Sequence, residues 1–480
     1  MQKYWILGGW CSLSLGCASS PVFEIPPPSL PSELATTPIA SIAKPEPAIP
    51  AYSVRETLPI DLPTVIRLVD ERSPIVGFAQ AKLREAEARL DGAEALWLPT
   101  LTVGTAYNRF DGVTQNQLGN VFETNRANLF LGGGPTLSID LADAFYRPLA
   151  ERRQANAERL RAEAVSLNAS FDAVVAYFDL LQVYAQRDIN ADTLAKAEAM
   201  LKAAQDAREK RLDRTAGDVE RAQSEVLVRR IETAEIEGRI AAASARLARQ
   251  LQLPPTVRLV PQQSTVVPMT LIDSQSTLDQ LVGIALGNRP DLAANREQLS
   301  AAWARLRRQR VGPWLPKIAI SNQIGRFGGG FNDDLTRFGS RNALTVAVGW
   351  EFKNFGFGNL ADAAERQAQL EQLQFIAQDA QTRAIAEIVE AAAASTARQE
   401  TLELAKTAVT QAEELYRINR EGTFNVVDSR NLFDALRPLQ SIQVRDRAKQ
   451  NALAAVIEFN KAQFRLFMLI GHPARTASSP

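Results

Sequence analysis

Apolar residues alternate along Leu344, Val346, Val348, Trp350 and Phe352, with Thr345, Ala347, Gly349 and Glu351 between them. One face is greasy and the other small or polar, as in a strand between two different surroundings. The period then changes. Neither Gly nor Pro occurs from Asn359 to Glu421, and apolar residues fall three and four apart at Leu370, Leu373, Ala377, Ala380 and Ala384, and again at Leu402, Ala405, Val409, Ala412 and Tyr416. This spacing predicts one very long helix with a coiled-coil seam.

The same passage occurs earlier. Leu137, Ile139 and Leu141 alternate with Thr136, Ser138 and Asp140, and a helix is expected to open near Pro148, since Pro is tolerated in a first turn. No Gly or Pro follows until Gly217, and Leu160, Leu167, Phe171, Val174, Phe178 and Leu181 form the stripe. At about 1.5 Å per residue each helix is roughly 90 to 100 Å long. A rod of that length spans a compartment and does not fold into a globule.

Elements around these two passages recur in the same order, the mark of an internal repeat. Asp61 is a predicted N-cap with Pro63 in the first turn, and Val65, Ile66, Leu68 and Val69 give a short helix its apolar side. After Ser73, Pro74 a second helix runs to about Leu96, and Leu98, Pro99 ends it. A strand with Leu101, Val103, Thr105 and Tyr107 on one face follows, then a polar loop from Asp111 to about Arg126. In the second half Arg289, Pro290 replaces Ser73, Pro74; Trp314, Leu315, Pro316 replaces Trp97, Leu98, Pro99; and Ile318, Ile320 and Ile324 open the next strand. Leu253, Pro254 and Gly471, His472, Pro473 close the halves, giving repeats at 61–260 and 277–473. Each ends in a second long helix, Asp218 to Gln250 and Asp428 to Leu469, the latter with an expected kink at Pro438. The fold class is therefore mainly α with a small β part, built from a duplicated helix-strand-strand-helix-helix unit.

Four strands of roughly ten residues, each with one apolar face, are long enough to cross a bilayer when tilted. A small soluble sheet shows the same alternation, but here loops stand on one side and enormous helices on the other, leaving no apolar layer to cover. In lipid, a four-stranded sheet exposes unpaired edges, and the smallest closed barrels have about eight strands. At least two copies must then contribute. The small and polar faces of Thr345, Ala347, Gly349, Thr136 and Ser138 would line a watery lumen. Trp97, Trp314 and Trp350, with Phe355 and Phe357, sit near the strand ends, either as an aromatic girdle or as packing where helix meets strand.

Composition narrows the chemistry. Over 480 residues Lys plus Arg equals Asp plus Glu, for a net charge of zero, which argues against nucleic acid as a partner. There is no run of 18 apolar residues to form a transmembrane helix. The only cysteines, Cys11 and Cys17, lie near the N-terminus, and His472 is the only histidine. A hydrolytic triad and a His or Cys metal site are thus nearly excluded, and neither a cofactor nor an enzymatic activity is expected. Residues 1–17 read as a short signal peptide, and Leu13 to Cys17 resembles a lipobox whose Cys17 becomes lipidated, although Ser14 holds the usual Leu position. An ordinary signal with an incidental cysteine is the alternative. Residues 18–60, rich in Pro, Ser and Ala, read as an extended tether.

From Asp61 to Pro473 the chain resembles the TolC family of outer-membrane efflux and secretion channels. The resemblance rests on the duplicated junctions at Leu98, Pro99 and Leu315, Pro316, on the passage from Trp350 to Gly358, and on Glu421, Gly422, Thr423 before Asp428. It implies a homotrimer in the bacterial outer membrane, twelve strands forming a barrel that continues as a helical barrel across the periplasm. It also implies docking of a periplasmic adaptor and an inner-membrane transporter, with the channel a passive conduit. Members of the family carry two aspartates three positions apart before the last helix. Here the first is Asp428, the second is Asn431, and Asp218 holds the equivalent place in the first half. A ring of such carboxylates would gate the entrance and favour cations, while an Asp that starts a helix is also a favoured N-cap. A periplasmic adaptor or structural coiled-coil lipoprotein shares the helices and tether but has no use for four lipid-length strands.

Overall fold

The computed structural model describes residues 56–472 apart from 211–216, 264, 274–275, 333, 336 and 425–434. The first half runs β1 (Glu56–Ile60), α1 (Leu62–Arg72), α2 (Pro74–Glu94), β2 (Thr100–Gln115), β3 (Val121–Asp140), α3 (Leu141–Glu209) and α4 (Asp218–Gln250). The second runs β4 (Val257–Pro261), α5 (Leu278–Asn288), α6 (Pro290–Val311), β5 (Lys317–Phe331), β6 (Gly339–Gly349), α7 (Phe357–Phe424) and α8 (Leu436–Leu469). Strand, two helices, two strands and two helices thus occur twice.

Local chemistry explains most boundaries. The Asp61 carboxylate accepts from the Thr64 amide at 3.0 Å and caps α1. Ser73 and Arg289 precede Pro74 and Pro290, the first residues of α2 and α6, at matching places in the two halves. A capping box between Thr277 and Gln280 starts α5. Asp140 accepts from the amides of Ala142 and Asp143 at 3.0 and 3.2 Å, so α3 begins at once where β3 ends. Pro148 therefore lies inside α3 and not at its opening. Among the described residues α8 begins at Leu436, which puts Pro438 in its first turn. There it lacks no intrahelical partner, so the expected kink has no cause.

The largest core lies where the two halves meet. Ile60, Val65 and Ile66 pack with Tyr177 and Phe178 of α3, Ile240 and Leu247 of α4, and Ile457 and Phe464 of α8. Leu259 joins them because β1 and β4 pair in parallel, Leu58 opposite Leu259. The last five residues of the expected tether are thus a strand. One window of α3 is apolar enough to span a membrane by length and composition, but Ala173, Val174, Tyr177, Leu180 and Leu181 of that helix belong to this core.

The other four strands form an antiparallel sheet in the order β2-β3-β5-β6. Its hairpins outrun the expected ten residues. The segment expected as a polar loop continues the ladder through Asp111 opposite Asn125 and Gln115 opposite Val121. Only Asn116 to Asn120 turn, the Asn116 side chain accepting from the amides of Leu118 and Asn120 at 3.0 Å each. Three glycines allow the strands to close up in mid-sheet: a Cβ on Gly132 would meet Ile324 O at 2.3 Å, one on Gly133 Thr102 O at 2.1 Å, and one on Gly134 Asn322 O at 1.7 Å.

Candidate pore wall and helix-tip entrance

Directly opposite residues in an antiparallel ladder share a face, so the register assigns every strand residue to one side of the sheet. Leu101 and Val103 of β2, Leu131, Leu137 and Ile139 of β3, Ile318, Ile320 and Ile324 of β5, and Leu344, Val346 and Val348 of β6 all fall on the same side. Many stay open to solvent in one copy, Leu101 at 71% and Val346 at 60%. An apolar patch this continuous marks contact with lipid or protein. From Ile139 to Leu129 the apolar side of β3 covers ten steps, about 33 Å along the strand. The other side carries Thr136, Ser138, Ser321, Thr345, Ala347 and Gly349, so the residues expected to face a lumen do share one face.

Aromatic side chains cluster where this sheet joins the helices. Trp97 meets Phe145 edge-on at 5.5 Å and Trp314 meets Phe352 at 6.2 Å, while the Trp350 indole donates to Trp314 O at 3.3 Å. The Trp97, Trp314 and Trp350 rings thus pack where helix meets strand and still remain exposed. Phe355 is 99% exposed and has a left-handed backbone with φ of 58°, a conformation costing about 1 to 2 kcal/mol for a bulky residue.

At the other end, α3 and α4 form one antiparallel hairpin and α7 and α8 another. Gly217 occupies the N-cap position of α4, so Asp218 opens the helix one residue later. Its carboxylate is 1% exposed and accepts from Arg221 at 2.9 Å. Met200, Ala204, Ala222, Ala435 and Leu439 form a small apolar cluster at the same end. Asp428, Asn431 and Cys17 lie outside the described residues.

Beyond this cluster the four helices meet at a charged node that periodicity alone did not disclose. Arg229 of α4, 11% exposed, donates to Glu225 at 2.8 Å, Glu232 at 2.9 Å and Asp446 of α8 at 2.7 Å. Thr193 of α3 donates to Asp446 at 3.1 Å, and Gln443 to Glu225 at 2.7 Å. Burial acts to lower the Arg229 pKa, but its three carboxylates outweigh it and raise the value. Alongside, Arg445 of α8 reaches Asp192 of α3 at 2.7 Å and stacks on Tyr416 of α7 at 5.6 Å. Lys449 bridges to Glu413 of α7 at 3.2 Å. Burial pushes the Asp192 carboxyl up, yet the hydrogen bonds and charges of Lys196 and Arg445 prevail and bring it down to about 2. Ala222, Val226, Arg229, Ile236, Ile240 and Leu247 are all buried on α4; their spacing puts an arginine in line with the apolar seam, but only the packing of α8 against it shows the partner.

No cluster of three metal-binding side chains occurs among the described residues. The model of the outer membrane efflux protein family matches residues 65–251 and 281–426, more than half of the chain. No curated protein matches by sequence. Among solved structures, the outer membrane protein VceC of Vibrio cholerae aligns with a TM-score of 0.68 at 18% identity, covering 86% of this chain and 96% of its own. A membrane protein from Pseudomonas aeruginosa gives 0.69 at 17% identity over 85% and 93%. The CmeC outer membrane channel of Campylobacter jejuni gives 0.68 at 15% identity over 85% of each chain.

Proposed function

The chain belongs to the outer membrane efflux protein family, and from that premise we propose that it is the outer-membrane conduit of a tripartite efflux pump or type I secretion system, assembled as a homotrimer. Family membership makes it an outer-membrane channel extending into the periplasm, not an enzyme and not an adaptor. What supports the assembly is the sheet. One copy presents an apolar side to lipid and a polar side opposite, yet leaves β2 and β6 as open edges. In a bilayer each unpaired backbone group costs several kcal/mol, so each β6 must find the β2 of another copy. Three copies give twelve strands, and the long helices carry the tunnel on.

Transport energy comes in this reading from an inner-membrane transporter joined by a periplasmic adaptor. The helix tips form the entrance, with Asp428 as the gate carboxylate and Asp218 holding the first turn of α4 through Arg221. Residues 1–17 serve as the signal and lipobox, cleaved ahead of Cys17, which stays as the lipidated first residue, and the following segment tethers it to the repeats at 61–260 and 277–473. Native mass spectrometry of protein extracted in detergent is expected to give three times the chain mass, and planar bilayers to show discrete conductance steps. A monomer released from membranes by salt, with no conductance, would overturn the proposal.

A further inference from the structure

The polar side of the sheet is not uniformly polar. Toward the hairpin turns, on the side opposite Leu101 and Ile320, it carries Phe110 and Arg126 directly opposite one another, and Phe130 directly opposite Phe327. The Arg126 guanidinium lies over the Phe110 ring at 5.4 Å. Arg341, on the same side of β6, lies over Phe327 at 5.0 Å and Phe130 at 5.9 Å. Glycines make the room. Arg341 stands opposite Gly325, which stands opposite Gly132, and the Phe130 ring covers both, 2.9 and 3.0 Å from where their Cβ atoms would be. Among the described residues neither arginine has a carboxylate within ion-pair distance, whereas Lys317, at the helix end of the same side, is paired with Asp140 and Glu351.

A guanidinium stacked on an aromatic ring is held by its flat face while its N–H edge stays free. That edge is the part that grips a carboxylate or sulfonate in a two-pronged hydrogen bond, and the neighbouring rings suit a flat apolar group. We propose that Arg126 and Arg341, lying over Phe110, Phe130 and Phe327, form a cationic belt of two tiers, about 20 Å apart along the strands, inside the membrane barrel, and that it binds aromatic organic anions on their way out. The inference rests on the conduit reading above, since only closure of the barrel turns this side inward. Three copies would contribute six guanidinium groups. The belt favours anions at the outer section, opposite in sign to a carboxylate ring at the helix tips, so anionic cargo would meet its attractive zone after the gate.

The test uses the full-length protein in planar bilayers, with the trisulfonated dye pyranine added from the hairpin side. Wild type is expected to show pyranine block that weakens about tenfold in R126Q/R341Q, with the reversal potential in a KCl gradient shifting toward cation preference. R126K/R341K keeps the charge but not the planar fork; it should retain the ion preference and lose most of the block. Pyranine titrated into detergent-solubilised protein, followed by fluorescence anisotropy, should weaken by the same factor. Unchanged block and reversal potential in a conducting R126Q/R341Q channel would refute the belt and leave the conduit standing. A wild-type protein without conductance would refute the conduit and the belt with it.

Discussion

Replacing Arg229 with Met should open the helical hairpins locally more than any other single change at the charged node. The arginine side chain is 11% exposed, and the carboxylates of Glu225 and Asp446 beside it are 8% and 6% exposed. Removing the cation leaves two buried acids close together with Gln443, Thr193 and Gln450 as their remaining donors. Breaking a buried ion pair from one side costs about 3 to 5 kcal/mol. Asp446→Asn is milder, because Arg229 keeps Glu225 and Glu232 and one charge-assisted hydrogen bond is weakened, for about 1.5 to 3 kcal/mol. Hydrogen exchange of the detergent-solubilised protein reads these differences as local opening of α4 and α8. At about 1.4 kcal/mol per factor of ten, protection around Arg229 should fall roughly 100- to 3000-fold in R229M and roughly 10- to 100-fold in D446N. Adding Asp446→Leu to R229M removes one orphaned charge and should restore part of the loss. If R229M stayed within threefold of wild type, or exchanged more slowly than D446N, the node would not be holding the helices together.

Three further outcomes are expected. The Asp192 carboxyl is held near 2, below its usual 3.8, so its contribution to stability is complete above about pH 4 and lost as pH falls toward 2; melting curves of wild type and Asp192→Asn should differ at neutral pH and converge over that window. Gly134→Ala puts a Cβ 1.7 Å from Asn322 O, and semi-native gels should show loss of the assembled barrel, whereas Gly104→Ala, with open space around its Cβ position, should assemble normally. A variant retaining Trp314 as its only tryptophan should be quenched in liposomes more by lipids spin-labelled near the headgroup than by deep labels, as its 74% exposure at the helix end of the sheet implies.

Much of this architecture was legible because it is written in period and punctuation. Alternation from Leu344 to Val348 and three-four spacing from Leu370 to Tyr416 need no partner to be recognised, and Ser73, Pro74 and Arg289, Pro290 mark helix starts by local sterics alone. What escaped depends on residues distant in the chain. β1 and β4 are five-residue segments containing proline, ETLPI and VRLVP, and become strands only by pairing with each other across the first half. The hairpin from Asp111 to Arg126 has no apolar face to advertise it; its ladder continues above the greasy band on backbone hydrogen bonds. Asp140 set the start of α3 ahead of Pro148 because a capping carboxylate outweighs a residue that is merely tolerated. At the node, Arg229 finds its buried partner in Asp446, more than two hundred residues away, which its own stretch of sequence does not announce.

The sheet also constrains how many copies close the barrel. Each copy adds four strands, so two copies make eight and three make twelve. An eight-stranded barrel has an interior only wide enough for its own side chains to fill. Phe110, Phe130, Phe327, Arg126 and Arg341 from two copies would then fill that interior, leaving four guanidinium groups with little water and, among the described residues, no carboxylate within ion-pair distance. Desolvating unpaired cations in this way costs several kcal/mol each. Twelve strands would enclose water, keep the arginines solvated, and leave the small residues Thr345, Ala347 and Gly349 facing a passage and not a packed core. The polar side of the sheet thus favours three copies over two, independently of the likeness to known channels.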